Sequence, residues 1–241
     1  MNETTFPLHM IARIHTDFPT KFGIPRQSGL TKSLLSRIVF EPAYRNPDAL
    51  RGIEGFSHLW LIWQFSECVR PSWSPTVRPP RLGGNQRVGV FATRSPFRPN
   101  ALGLSSVKLE NVELSTPMGP VLYVAGADLM DGTPIFDIKP FLPFTDNHPD
   151  AVGGFADPVK EHALTVHIAP EFLDKIPPRL QTGLREVLAQ DPRPSYQNDP
   201  NRIYGFFFAD WEIHFRVAGD SLVVVNIESA ASKSASFDHS S

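Results

Sequence analysis

LGLSSVKLENVEL, residues 102–114, reads as a β-strand, and the segments on either side of it read the same way. Upstream lie the alternating MIARIHT (10–16), the apolar run HLWLIWQF (58–65) and RVGVFAT (87–93); downstream lies VLYVAGADL (121–129). Each is bounded by Gly, Pro or Asp-Gly turns. Short strands at this spacing predict a barrel or sandwich rather than a parallel α/β sheet. No glycine fingerprint of a dinucleotide fold follows any of them, and GNQRVGVF (84–91) lacks the Lys-Ser/Thr ending of a phosphate-binding loop.

Immediately before the first strand quoted, and running into it, is RPPRLGGNQRVGVFATRSPFRPNALGLSS (78–106), which holds five arginines, four prolines, four glycines and no carboxylate. From Val69 to Leu109 there are six arginines and one lysine without an Asp or Glu. Nothing within the run pairs its cations, so it is not a charge-balanced helix face. Glycine and proline at this density specify backbone shape. Arginines fixed on such loops suit phosphates, carboxylates or stacked bases. The plainer alternative is a basic loop with structural glycines.

The charge is asymmetric along the chain. Residues 1–109 carry 14 Lys+Arg against 6 Asp+Glu, and residues 110–241 carry 9 against 19. The first half is therefore expected to meet an anion, or else the two halves attract each other. The 24 prolines among 241 residues argue against a helical bundle. No apolar run reaches the length of a membrane span, and MNETTFPLHM lacks a signal pattern. The single cysteine, Cys68, forms no internal disulfide, so a cytoplasmic location is expected. The eight histidines show no metal-ligand spacing, and no metal is expected.

PDAVGGFADPVKE (149–161) reads as a linker. This divides the chain into a β-barrel domain (1–150), a C-terminal α+β domain (151–228) and a disordered tail (229–241). In the second domain ALTVHIA (163–169) reads as a strand, and PPRLQTGLREVLAQ (177–190) as a helix with Leu180, Leu184, Val187 and Leu188 on one face. YGFFFADWEIHFRV and SLVVVNIE flank a hairpin turn at Ala218-Gly219-Asp220.

Five motifs occur in order: KFGIPRQSGL (21–30), RGIEGFSHLWLIW (51–63), the arginine–glycine stretch, DLMDGTPIFDIKPFLPF (128–144) and VLAQDPRPSY (187–196). Together they closely resemble the TsaA/TrmO family from about Ile11 to about Arg216. The resemblance implies a small antiparallel β-barrel of the TsaA/TrmO type with a smaller C-terminal α+β domain, mainly β and not Rossmann. It further implies an S-adenosylmethionine-dependent tRNA methyltransferase acting on N6 of N6-threonylcarbamoyladenosine, beside the anticodon of threonine tRNA, and a homodimer.

The same resemblance places S-adenosyl-L-methionine against Pro25, Arg26 and Gln27, Ser66 and Glu67, Arg94, Leu104, and the run Asp128, Leu129, Met130 and Asp131. Taken as residues alone, Pro25 fixes a turn and Gln27 both donates and accepts. Arg94 can fork onto a carboxylate or phosphate. Asp128 can bind ribose hydroxyls or an ammonium. Ser66 stands where close relatives carry histidine, which puts a side-chain role there in doubt while leaving a backbone contact. RNA contacts are expected from Arg78, Arg81, Arg87, Arg98 and Arg193. Asp131, Arg94 and Arg98 are candidates for acting on the acceptor, and no general base is assigned. Two alternatives remain: a non-catalytic S-adenosylmethionine and RNA-binding module, and a small-molecule methyltransferase of the same fold.

Overall fold

A computed structural model describes residues 5–79, 86–159, 163–193 and 199–231. Six strands close on one another: β1 (Ala12–His15), β2 (Leu35–Phe40), β3 (His58–Gln64), β6 (Leu102–Glu113), β7 (Val121–Ala125) and β8 (Pro134–Pro140). Their order around the barrel is β1-β2-β7-β6-β3-β8, with β8 returning to β1, and every pairing is antiparallel. Alternation decides which side chains face inward. Along β3, Leu59, Leu61 and Trp63 are buried, while His58, Trp60, Ile62 and Gln64 are half-covered. Ile14, Ile38, Leu122, Val124 and Ile135 fill the interior with them. Closure leaves the barrel without an unpaired edge.

Two barrel strands escape the sequence reading. β2, LSRIVF, is short, with Ser36 and Arg37 diluting its apolar signal, yet it buries Ser36, Ile38 and Phe40 in alternation. β8, PIFDIKP, opens and closes on proline and carries Asp137, so it resembles a loop. Conversely, of RVGVFAT only Val88 and Gly89 form strand β5, which pairs with β4 (Thr76–Val77) in a two-stranded ribbon.

Beyond the barrel, β10 (Tyr204–Phe208), β11 (Trp211–Ala218), β12 (Ser221–Ser229) and β9 (Thr165–His167) form a second sheet in the order β10-β11-β12-β9, with β9 parallel to β12. The continuous run from Tyr204 is broken by a turn whose Ala209 takes φ 47°. Two short helices, α1 (Pro143–Asp146) and α2 (Pro170–Leu173), and the longer α3 (Pro178–Ala189) complete the structure. α3 turns Leu180, Leu184, Val187 and Leu188 onto the sheet, the face expected from their spacing. The expected tail lies almost wholly outside the described residues. Among the described residues no helix is long and apolar enough to cross a membrane.

Candidate functional site

Three segments far apart in sequence meet at one end of the barrel. The first follows Gly126, where β7 ends and the backbone takes φ 79°. A side chain at Gly126 would lie 3.1 Å from the Cα of Gly29, and the Gly29 N–H donates to the Gly126 carbonyl at 2.8 Å. Here glycine is required both by dihedral angle and by close backbone approach. Asp128 lies two residues on. Its carboxylate accepts a hydrogen bond from Ser105 Oγ at 2.5 Å, and Ser105 Oγ in turn accepts one from Trp63 Nε1 at 3.0 Å.

Burial holds the Asp128 carboxyl above the usual carboxylate range, and the hydrogen bonds from Ser105 and the backbone, with the nearby Arg94 cation, offset part of this. Arg94 comes from the acid-free stretch and donates through Nη1 to Gln27 Oε1. Gln27, Arg94 and Asp128 therefore form one cluster drawn from three of the five motifs. It offers an amide, a guanidinium and a carboxylate within one small volume.

The other expected residues are held by separate contacts. Pro25 is buried, and Arg26 donates through Nη2 to the carbonyls of Asp191 and Arg193, each at 3.3 Å. The loop that carries them is thus tied to the DPRPSY segment, whose residues from Pro194 on lie outside the described region. Leu129 is buried in the barrel interior, so only its backbone is presented; its carbonyl accepts from Thr16 Oγ1 at 3.0 Å. Asp131 accepts from the Thr16 N–H at 3.0 Å and lies 3.2 Å from His15 Nδ1, which makes it a tie between β1 and the β7–β8 turn. Leu104 is 57% exposed on the outer wall of β6, opposite Ile62, not in the core.

Ser66 and Glu67 are exposed on the turn after β3. Glu67 and Met130 line a cleft of roughly 430 Å³ between the barrel and the second sheet, together with Lys21, Phe22, Phe206 and Glu212. Across the strand pair Glu212 faces Glu228, and His214 Nε2 lies 3.6 Å from Glu212. Sequence reasoning missed Lys21, Phe22 and the aromatic residues of β10 as cleft-lining groups; no local periodicity connects them.

Of the arginines expected to meet RNA, Arg78 is exposed, and Arg87 donates to Thr76 Oγ1 at 3.0 Å, bracing the β4–β5 ribbon. Arg98 is half-buried and donates to the Thr93 carbonyl at 3.2 Å. Arg81 lies outside the described residues. Arg193, with a side chain only 11% exposed, forks onto Asp191 at 2.8 and 2.9 Å. Burial opposes the Asp191 charge, but this pairing outweighs it and keeps the carboxyl below its ordinary range. Cys68 is half-buried, and burial pushes its thiol up, as for an unreactive side chain.

Known proteins carry the same arrangement of segments. Residues 13–147 match the tRNA-methyltransferase O N-terminal domain, and residues 161–230 match the TrmO C-terminal domain. The tRNA (adenine(37)-N6)-methyltransferase of Escherichia coli K12 is 40% identical over 233 residues, covering 93% of this chain and 99% of that one. A Pseudomonas aeruginosa protein, named for S-adenosylmethionine-dependent methyl transfer, is 37% identical over 228 residues, covering 92% and 96%. The crystal structure of TrmO from P. aeruginosa superposes with a TM-score of 0.76 at 31% identity, covering 95% of this chain and 99% of that one. With both of its halves matched in order and the barrel shared, the chain belongs to the tRNA-methyltransferase O family.

Proposed function

We propose that the protein transfers a methyl group from S-adenosylmethionine to N6 of adenosine 37 in tRNA, and that its acceptor is the N6-threonylcarbamoyl form of that base in threonine tRNAs. The observation that carries this reading is the convergence of Gln27, Arg94 and Asp128 in a chain of this family. S-adenosylmethionine, when bound, supplies the methyl group on a sulfonium, which needs no metal or redox partner. The donor set suits such a ligand. Gln27 and Arg94 present a fork for its carboxylate, while Asp128 and Glu67 present anions for its ammonium, ribose hydroxyls or positive sulfur. Met130 and Leu104 add apolar contact. Pro25 and Arg26 fix the loop, and the Ser66, Leu129 and Asp131 backbones border the site.

Methyl transfer requires alignment of acceptor nitrogen, methyl and sulfur, and such orientation contributes about 7–11 kcal/mol in favourable cases. The ureido N–H of the acceptor is a poor nucleophile until its proton leaves. In this reading Arg94, which donates to Gln27, stabilises charge developing on the carbamoyl oxygen, with Arg98 four residues further on. Asp131, the other residue considered for acting on the acceptor, has its carboxylate engaged by the Thr16 N–H and by His15. Arg78, Arg81, Arg87 and Arg98 supply contacts to phosphates, and Arg193 acts by holding the loop against which Arg26 rests. Barrel (1–150) and α+β domain (151–228), a homodimer and a cytoplasmic location belong to the same reading.

The test is methyl incorporation from labelled S-adenosylmethionine into threonine tRNA with and without its threonylcarbamoyl group. Labelling of the modified tRNA alone is expected. Equal labelling of both would remove the threonylcarbamoyl group from the proposal, and cofactor binding without labelling of either would replace it with a non-catalytic binding module.

A further inference from the structure

Between Val69 and Leu109 the chain exposes aromatic rings as well as arginines. Trp73 is 51% exposed and Phe91 is 72% exposed, with ring centroids 6.1 Å apart and planes at 38°. Trp63, by contrast, is 5% exposed in the barrel, and Trp60 and Trp211 are half-covered. A soluble protein rarely leaves two large rings side by side in water without a use for them.

These rings are held in place. They flank the β4–β5 ribbon, where Thr76 pairs with Gly89 and Val77 with Val88. The Val90 N–H donates to the Pro75 carbonyl at 2.9 Å, and the Val90 side chain is buried. On the same segment the Arg70 guanidinium lies 3.9 Å above the ring of Phe97, itself 39% exposed. Such a pair presents a flat cationic face.

We infer that Trp73 and Phe91 form a stacking platform for unpaired RNA bases, with the Arg70–Phe97 pair on the same segment as a second stacking face. The occupant it fits is the single-stranded loop of the tRNA around the acceptor adenosine. Stacking accepts any base, because every base has a π-face, and the surrounding arginines follow the backbone. The complete lack of carboxylates over this segment is what a polyanion requires. A subunit interface, by contrast, depletes charge at its apolar centre. The methyltransferase reading supplies the identity of the RNA, and the platform rests on it for that alone.

The experiment uses the full chain and two RNAs of equal length: a hairpin whose loop carries threonylcarbamoyladenosine, and a fully paired duplex. Trp73 is the tryptophan most open to quenching by a stacked base. The hairpin is expected to quench protein fluorescence, and Trp73→Phe to abolish that quench while keeping affinity within about twofold. Trp73→Ala and Phe91→Ala are each expected to weaken hairpin binding about tenfold at fixed salt. The salt dependence should stay unchanged, because no phosphate contact is removed. Thermal melting of each variant checks that the fold survives, and recovery of affinity in Trp73→Phe separates ring stacking from a structural role.

The inference is overturned if the alanine variants bind the hairpin as the parent does, or if hairpin and duplex quench equally. It is also overturned if the variants dissociate a dimer in sedimentation, since the rings would then belong to a second copy of the chain. Methyl transfer by the parent with unchanged kcat/KM in Trp73→Ala would sink the platform and leave the methyltransferase reading intact. Quenching by the hairpin without methyl transfer would do the reverse.

Discussion

The two hydrophobic cores of this protein are completed by different means. The barrel closes its own edges, and residues of its own strands and turns fill its interior. The second sheet is open, with α3 against it, and its core takes in Phe18 and Leu34 from the segment between β1 and β2. Phe18 meets Phe208 edge to face at 6.2 Å, and Leu34 occupies the space left by the missing side chain of Gly183. Between these two anchors lies the loop with Pro25, Arg26 and Gln27. Glu186 of α3 accepts from the Ser33 N–H and hydroxyl at 3.1 and 2.8 Å, and Arg26 reaches the carbonyls beyond α3. The second sheet thus acts as a clamp on the loop that presents Gln27. The barrel supplies the other half of the site, Asp128 and Ser105.

The largest effect is expected from Phe18→Ala. Truncating a fully buried phenylalanine costs about 3–5 kcal/mol. If the two cores are distinct, amide hydrogen exchange will show the loss concentrated in β10, β11 and β12, with β3 and β6 still protected. Uniform loss across both sheets would make the molecule one cooperative unit.

Glu186→Ala removes a charged acceptor from two donors of Ser33, with an expected cost of about 2 kcal/mol. The consequence of interest lies some distance away. A loosened loop should weaken S-adenosylmethionine binding several-fold by calorimetry, although Glu186 is not part of the Gln27–Arg94–Asp128 cluster. Unchanged cofactor affinity would show that the loop holds its shape without the clamp.

Much of this was legible in the chain itself. The strands at 58–65 and 102–114, the face of α3 and the turn at Gly219 follow from alternation, helical spacing and a positive-φ glycine. The role of Phe18 was not, because one aromatic residue between two loop-like segments carries no period that points to a partner 190 residues away. The same holds for the Trp63–Ser105–Asp128 relay, whose members belong to three separate strands and turns. The motif residues Gln27, Arg94 and Asp128 were nameable in advance, but their meeting depends on the backbone contact between Gly29 and Gly126. β8 was hidden by its prolines and Asp137, which are tolerated at the ends and outer wall of a barrel strand.

Asp128→Asn tests the part of the site that the barrel supplies. Because burial raises the Asp128 carboxyl in the native state, the folded protein holds that proton to higher pH than the unfolded chain does. Stability from this group is therefore lost as pH rises through the native value, and the charge is a burden at neutral pH. The asparagine variant should be more stable at neutral pH and show a flatter acid limb in denaturant titrations. Its affinity for S-adenosylmethionine should fall at least tenfold, since the anion is lost. A variant that is less stable at neutral pH would mean that Arg94 and Ser105 more than repay the burial.

Asp131→Asn is expected to do least, and the contrast with Asp128 explains why. The two carboxylates stand three residues apart on one turn, yet Asp131 is about half exposed and pairs with a similarly exposed His15. Solvent screens such a pair to roughly 0–1 kcal/mol. Asparagine also retains an oxygen to accept from the Thr16 N–H, so the tie between β1 and the β7–β8 turn survives the substitution. Melting temperature should shift by no more than a few degrees, and methyl transfer by less than about threefold. If the carboxylate instead accepts the acceptor's proton, kcat will fall by the 100-fold or more that loss of a general base costs, while melting stays near that of the parent. Measured together, kcat and melting temperature thus decide whether the exposed member of this aspartate pair fastens the turn or serves the chemistry.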